Sequence, residues 1–268
     1  MKDPQAPIGV FDSGIGGLTV VHELIRQLPH ESIIYFGDTA RVPYGPKSPE
    51  TVLRYSQEIV SWLKNEGVKT LVVACNTATA HALPTLQREN TMPVIGVIGP
   101  GSRAAARATR SHNVGVIGTY GTINSQAYER AIKRVLPEAR IIAQACPLFV
   151  PLAEEGWLDT EPTRLIAKEY LAPLTEGAVD TLVLGCTHYP LLKGVIGGVV
   201  GRDVRLIDSA EETAAETARI LRAEGLANDS SNGAQYRFVA SDAPEQFLRV
   251  GQRFLGSSID CVETITLG

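Results

Sequence analysis

Short apolar runs recur along the chain, and each is followed by Gly, Asp, Thr or Asn and then by an amphipathic stretch. The runs cover residues 8–11, 32–37, 70–75, 93–98, 113–118, 140–145, 181–186 and 204–208. Continuous β-branched runs that alternate with helical patterns are typical of buried parallel strands in βαβ units. The pattern therefore predicts an α/β fold with mainly parallel sheets. Ligands of such sheets usually bind beyond the carboxyl ends of the strands.

The C-terminal tail shows the same alternation with a different order of elements. The pattern predicts a helix over 209–224 that ends at Gly225, a polar loop over 228–233, a strand over 236–241, a helix closed by Gly256 and a last strand over 259–267. Amphipathic stretches at 51–66 and 163–175 predict two of the earlier helices. We expect the tail to complete the sheet of the first half of the chain.

The first two hundred residues contain an internal similarity. IGVFDS (8–13) is similar to VGVIGT (114–119), and TLVVACNT (70–77) is similar to TLVLGCTH (181–188). The separation in sequence between the two members is nearly the same for both pairs, as expected for one duplicated unit of about a hundred residues. We therefore expect two similar α/β lobes related by a pseudo-twofold axis, residues 1–98 with 210–268 and residues 99–209, with the active site in the cleft between them.

Composition indicates a folded globular protein and limits the kinds of partner it could bind. The 268 residues are 44% hydrophobic and 20% charged with a formal net charge of −4, which permits a sizeable core and argues against disorder. The sequence contains no basic patch, so it does not indicate a nucleic acid or an anionic membrane as a partner. The chain shows no signal peptide and no apolar run of about 20 residues, so we expect a cytoplasmic protein.

Two of the four cysteines end apolar runs. Cys75 and Cys186 each precede Asn or Thr residues that can cap a helix, where fresh backbone N–H groups stabilise a thiolate. The alternative is that each is only a small buried apolar side chain. Paired occurrence in matching contexts favours a functional role. The other two, Cys146 and Cys261, have no such context, and the absence of C-x-x-C spacing indicates neither a disulfide nor a zinc framework.

Polar residues near these strand ends are further candidates. His188 lies two residues after Cys186, so it is a candidate partner of the thiol, a proton donor or, least favoured, a metal ligand. Asp12 and Ser13 precede a glycine-rich turn that fails the G-x-G-x-x-G pattern because Thr19 replaces the last glycine. Nucleotide binding is therefore disfavoured, and a small anion such as a carboxylate is the better ligand for this turn.

Two further segments carry charged and aromatic residues. The segment GDTARVPYG (37–45) places Asp38, Arg41, Tyr44 and Gly45 on a long loop beside a strand end, where binding sites often lie. VPLAEEG (150–156) contains two adjacent glutamates that would by default be solvated charges at a helix start.

Six motifs in order resemble the glutamate racemase family, within the aspartate/glutamate racemase superfamily. They are FDSGIGGLTV (11–20), GDTARVPYG, ACNTATA (74–80), GVIGPG (96–101), LGCTHYPLL (184–192) and LIDSA (206–210). The resemblance implies cofactor-independent interconversion of L- and D-glutamate, with Cys75 and Cys186 as the acid and base thiols. It assigns assisting roles to Asp12, His188 and Glu154. It places substrate contacts at Asp12, Ser13, Tyr44, Gly45, Asn76, Thr77, Thr119, Thr187 and His188.

The resemblance also carries expectations about context. It implies no cofactor and no metal, a homodimer, and a supply of D-glutamate for bacterial peptidoglycan. Some members of the family carry a regulatory N-terminal extension; only seven residues precede Ile8, so we expect that form of control to be absent.

The chemistry of racemisation gives an independent reason for two similar lobes. Removal of the Cα proton leaves a planar or nearly planar carbanion, so one base must stand on each face. Three alternatives stay open at this level: a thiol amidohydrolase using Cys186 and His188, a racemase acting on aspartate or another acidic substrate, and a two-lobed amino-acid-binding protein.

Overall fold

The computed structural model describes residues 3–230 and 233–267, so two positions of the predicted polar loop, 231 and 232, lie outside the described residues. The chain divides into two compact units, residues 1–97 with 210–268 and residues 98–209. Among the described residues, no helix combines the length and the apolar character that a membrane crossing requires.

The strands follow the predicted apolar runs. They are β1 (Ile8–Asp12), β2 (Ile33–Gly37), β3 (Thr70–Val73), β4 (Val94–Gly96), β5 (Asn113–Gly118), β6 (Arg140–Ala145), β7 (Thr181–Gly185), β8 (Arg205–Asp208), β9 (Tyr236–Ala240) and β10 (Glu263–Thr264). The pairings are parallel throughout the two described sheets. The predicted α/β class with mainly parallel sheets is confirmed.

The helices fill the connections between the strands. They are α1 (Leu18–Gln27), α2 (Pro49–Asn65), α3 (Asn76–Glu89), α4 (Ile98–Ala108), α5 (Tyr120–Asn124), α6 (Ala127–Val135), α7 (Phe149–Glu154), α8 (Glu161–Glu176), α9 (Lys193–Val200), α10 (Ser209–Ala223) and α11 (Pro244–Leu255). Short 3₁₀ turns lie at Thr39–Arg41 and Tyr189–Leu192. Hydroxyl or thiol side chains cap α2, α3, α5 and α8, as their sequences favour.

The first unit is built on a six-stranded sheet of order β10-β9-β2-β1-β3-β4. Side chains such as Phe11, Phe36 and Val73 on one face pack with Ile59 of α2 and Ala82 of α3 in a buried apolar core. On the opposite face the ring of Tyr35 contacts a phenylalanine of α11. The strands are therefore buried on both faces, which explains their continuous apolar sequences.

The second unit is built on a four-stranded sheet of order β6-β5-β7-β8. This order repeats β2-β1-β3-β4 of the first sheet, so strands that are similar in sequence occupy equivalent positions. The extra strands β9 and β10 come from the tail and extend the first sheet beyond β2. Within the described residues, the strand equivalent to β2 in the second unit, β6, has no such neighbour and lies at a sheet edge.

Several strands are shorter than the sequence predicted. The strands before the two candidate cysteines end at Val73 and Gly185, so neither thiol lies in a strand. The predicted last strand over 259–267 forms only Glu263–Thr264, which pair with Val239 and Ala240 at the end of β9.

A buried ion pair lies at the amino ends of the strands in the first unit. The ammonium of Lys69, directly before β3, pairs with the carboxylate of Glu31, which precedes β2, and also donates to the carbonyl of Pro4 at 2.5 Å. The second carboxylate oxygen of Glu31 accepts the N–H of Asn228 at 2.9 Å. Both charged side chains are almost fully buried, at 2% and 3% exposure. This pair joins four separate segments at the sheet edge opposite Cys75.

Candidate active site

In the first unit, three neighbouring strands deliver polar side chains to one sheet edge. Asp12 ends β1, Asp38 follows β2, and Cys75 follows β3 by two residues. Strand β1 pairs with both of the others, in parallel. Because the carboxyl ends of parallel strands meet at the same edge, residues that are far apart in sequence become neighbours here.

Cys75 is the N-cap of α3. Its Sγ accepts the N–H of Ala78 at 3.4 Å, and its thiol donates to the Oγ of Ser13 at 3.6 Å. Asn76 and Thr77 form the buried first turn of the same helix. A helix N-terminus stabilises negative charge on a side chain, so this position suits a thiol that alternates between SH and thiolate.

The turn after β1 holds Asp12 and Ser13 in a fixed conformation. The carboxylate of buried Asp12 accepts the N–H of Gly14 at 3.1 Å, and the carbonyl of Gly14 accepts the Tyr35 hydroxyl at 2.9 Å. Burial, reinforced by the nearby Asp12 and Cys75 charges, raises the pKa of Tyr35, so its phenol stays a donor. A Cβ at Gly17 would lie 2.5 Å from the Asp12 Cβ, which explains the glycine there.

Tyr44 and Gly45 lie on the connection between β2 and α2. The Tyr44 side chain is buried and its hydroxyl donates to the Asp38 carboxylate. Gly45 is partly exposed. A substrate contact from Tyr44 would therefore fall to its main chain rather than to its phenol.

In the second unit, the equivalent strands deliver a different set of side chains. Thr119 follows β5 and caps α5, accepting the N–H of Thr122 at 3.4 Å. Cys186 follows β7, and buried Thr187 and His188 come directly after it. Glu154 ends α7, the helix that follows β6. The order of the strands again places these residues at the carboxyl edge of one sheet.

Cys186, His188 and Glu154 form a linear hydrogen-bonded chain. The Nδ1 of His188 lies 3.8 Å from the Cys186 Sγ, and its Nε2 lies 2.9 Å from the Glu154 Oε1. Of the two adjacent glutamates, Glu154 makes this contact while Glu155 is exposed. The Thr187 hydroxyl also lies 3.4 Å from the Nδ1.

The environment of His188 favours its protonated form. Burial disfavours the positive charge and lowers the pKa of His188. The hydrogen bonds to Cys186 and Glu154, together with the negative charges of these two groups, outweigh burial and raise the pKa to about 10. The imidazole is therefore an imidazolium at neutral pH, positioned to support a thiolate at Cys186.

The two thiol environments are similar in position and different in charge. A carboxylate and a hydroxyl accompany Cys75, whereas an imidazolium backed by a carboxylate accompanies Cys186. Burial raises the pKa of the Cys146 thiol, which keeps it protonated, and Cys261 is exposed. Within residues 3–230 and 233–267, no group of three or more His, Cys, Asp or Glu side chains is arranged to hold a metal ion.

Sequence reasoning missed Ser241, which follows β9 and contacts Asp38. The available signal was a hydroxyl residue at the end of the predicted strand 236–241, the same position at which the other site residues occur.

Similarity to known proteins agrees with this arrangement. The family model for Asp/Glu/Hydantoin racemases matches residues 8–217. A glutamate racemase from Geobacter metallireducens is 59% identical over 264 residues, 98% of each chain. The chain belongs to the Asp/Glu/Hydantoin racemase family. It is an enzyme of the racemase class.

Solved structures of glutamate racemases share the fold of this racemase. The crystal structure of isoform RacE1 from Bacillus anthracis is 45% identical, with a TM-score of 0.94 over 98% of both chains. The enzyme from Francisella tularensis, solved in complex with D-glutamate, is 39% identical, with a TM-score of 0.92 over 98% of both chains.

The Glu154–His188 contact predicts a measurable titration change. Glu154→Gln removes the carboxylate charge, so the pKa of His188 should fall from about 10 toward the ordinary value of about 6.5. A raised pKa adds stability that is fully present below about pH 6.5 and is lost as the pH rises to about 10. The free energy of unfolding of the wild type should therefore exceed that of the variant most below pH 6.5.

The measurements are an NMR titration of the His188 ring and urea unfolding at several pH values. The exposed neighbour provides the matched control, because Glu155→Gln makes the same chemical change without the histidine contact. An unchanged His188 titration in Glu154→Gln would contradict the assignment of the contact.

Proposed function

We propose that this racemase interconverts L- and D-glutamate by moving the Cα proton, with Cys75 and Cys186 as the acid and base. The observation that carries the proposal is the placement of two buried thiols after equivalent central strands, each with its own polar partner. The similarity to two glutamate racemases, each over 98% of the chain, supports glutamate as the substrate.

The proposed reaction uses the two thiols in turn. One thiolate takes the Cα proton, so a Cα–H bond breaks and an S–H bond forms. The opposite thiol then gives its proton to the other face of the carbanion and becomes a thiolate. The reverse reaction exchanges these roles. The proposal requires the two sulfur atoms to stand on opposite faces of the substrate Cα.

The neighbouring polar groups would tune this transfer. We assign Asp12 to assist Cys75. We assign His188 with Glu154 to assist Cys186, because the contacts of the two ring nitrogens hold a His188 proton near the Cys186 sulfur. Glu154→Gln should therefore lower kcat by roughly tenfold or more, since it weakens a charge-assisted hydrogen bond, while Glu155→Gln should not.

The remaining candidates would bind the two carboxylates and the amino group of the substrate. This set consists of Ser13, the main chain at Tyr44 and Gly45, Asn76, Thr77, Thr119, Thr187 and His188, with Asp12 close to the amino group. Fixed N–H and O–H donors in a water-poor site stabilise a developing carbanion without an electron-accepting cofactor. The proposal also includes a homodimer in the cytoplasm that supplies D-glutamate for peptidoglycan.

The decisive experiment is incubation of the reduced enzyme with each glutamate enantiomer in D₂O. We expect inversion of configuration together with deuterium at Cα of the product, because the returning proton comes from a thiol that exchanges with solvent. Chiral chromatography and mass spectrometry measure both. Absence of inversion and exchange with either enantiomer would refute the proposal.

Membership of the racemase family disfavours the other classes considered from sequence. A thiol amidohydrolase would form an acyl-enzyme and hydrolyse its substrate without Cα exchange, and an amino-acid-binding protein would leave glutamate unchanged. A racemase specific for aspartate remains the competing proposal within the family. The same D₂O assay with aspartate separates it, because inversion of aspartate at a higher kcat/KM than glutamate would favour that substrate.

A further inference from the structure

The connection between β2 and α2 is anchored at one buried carboxylate. Asp38 has no exposed surface and accepts hydrogen bonds from three side chains. The Nε of Arg41 lies 2.8 and 3.0 Å from its two oxygens, the Oγ of Ser241 lies 2.9 Å away, and the Tyr44 hydroxyl donates as well. A buried carboxylate is stable only with such compensation, so these donors hold one another in place.

Ser241 comes from the tail and directly follows β9. Its Oγ also accepts the N–H of Ala40 at 2.8 Å. The next residue, Asp242, donates its N–H to the Thr39 Oγ1 at 2.8 Å, and its carbonyl accepts the Thr39 hydroxyl. The end of β9 is therefore bonded to the start of the connection through both side chains and main chain.

The far end of the connection is held by the same carboxylate. Burial and the Asp38 charge raise the pKa of Tyr44, so its phenol remains a donor to Asp38. Arg41 pairs with Glu58 of α2, and its guanidinium lies 4.1 Å from the centre of the Tyr55 ring. With the phenol engaged in this way, Tyr44 and Gly45 can offer a substrate their main chain.

The second unit uses the equivalent connection differently. The chain after β6 carries Glu154, which reaches His188 directly. No strand pairs with the outer edge of β6 in the described sheet. The first unit has β9 at the equivalent place, and the end of β9 contributes Ser241. The added tail strand β9 thus anchors the connection between β2 and α2 through Ser241, a contact that the sequence repeat does not predict.

We propose that Asp38 and Ser241 are positioning residues, which hold the Tyr44–Gly45 main chain in the geometry that binds the substrate. This inference rests on the proposed function. A loosened connection must be ordered again when the substrate binds, which weakens binding. Once the substrate is bound, proton transfer at the cysteines proceeds as before. The expected signature is therefore a raised KM with little change in kcat.

The test compares single hydroxyl removals at buried serines of the first unit. Ser241→Ala removes one donor to Asp38 and should raise the KM for glutamate about tenfold, with kcat within about twofold of the wild type. Ser241→Thr keeps the hydroxyl and should restore the KM. Ser56→Ala is the matched control, because Ser56 is buried and donates only to the Val52 carbonyl within α2.

Tyr44→Phe provides a second, independent removal of a donor to Asp38 and should raise KM in the same way. Thermal unfolding of each variant checks that the fold is retained. The inference is overturned if Ser241→Ala and Tyr44→Phe both keep the wild-type KM, or if KM and kcat change in them as they do in Ser56→Ala.

Failure of the proposed function would look different. In that case the wild type itself would not invert glutamate, and calorimetric titration with glutamate would replace kinetics. A wild type that binds glutamate at least about tenfold more tightly than Ser241→Ala would still support the positioning role, and equal affinities would overturn it.

Discussion

Replacing either Cys75 or Cys186 by serine should abolish net racemisation, a loss of at least about a thousandfold, which lies within the range of acid–base catalysis by one group. A serine hydroxyl is a far weaker acid than a thiol of pKa about 8.5, so it cannot alternate between the two protonation states at neutral pH. The measurement is the rate of chiral inversion from each enantiomer. Cys261→Ser is the control, because that thiol is exposed and lies outside both candidate sites.

The two variants should differ in what they retain. Each keeps one thiol, which faces one enantiomer in the proposed reaction, so each should still exchange the Cα hydrogen of that enantiomer in D₂O without inverting it. Cys75→Ser and Cys186→Ser should therefore label opposite enantiomers. Full inversion activity in either variant would remove that cysteine from the mechanism.

Lys69→Met should be the most destabilising single substitution among those considered, at about 3–5 kcal/mol, because it leaves the Glu31 carboxylate buried without its cation. The pair lies at the amino ends of the strands, at the edge opposite Cys75, so the change tests the fold and not the chemistry. Urea titration gives the free energy of unfolding. Lys64→Met, at an exposed lysine of α2, should change it little.

A double variant distinguishes an ion-pair effect from lost packing. Lys69→Met combined with Glu31→Gln removes both charges and should recover most of the stability. If the double variant is as unstable as Lys69→Met, the cost comes from side-chain packing and not from an uncompensated charge.

The architecture could be predicted from sequence because buried parallel strands leave continuous apolar runs. The positions of Cys75, Asp12 and Cys186 after such runs already place them at the carboxyl edges of their sheets. The strand boundaries were less predictable. Each cysteine continues an apolar run in composition, but β3 and β7 stop one or two residues before it, where the chain turns into a capped helix or a 3₁₀ turn.

The linear order of residues could not assign the contacts made across the folded chain. The local pattern of VPLAEEG does not distinguish its two adjacent glutamates. The family resemblance favoured Glu154, and the structure places its Oε1 2.9 Å from the Nε2 of His188. The sequence placed Tyr44 on a possible binding loop, whereas in the structure its phenol is buried and donates to Asp38. Ser241 lies about two hundred positions from Asp38 in sequence.

The amino-acid sequence alone thus determined the α/β class, the repeat and the pair of thiols, because periodicity, composition and local capping residues are properties of short segments. Only the tertiary structure showed the contacts made across the chain, those of Ser13 with Cys75 and of Glu154 with His188. These residues arrive on different strands and helices, and the pKa of a buried group depends on atoms a few ångströms away whatever their separation along the chain.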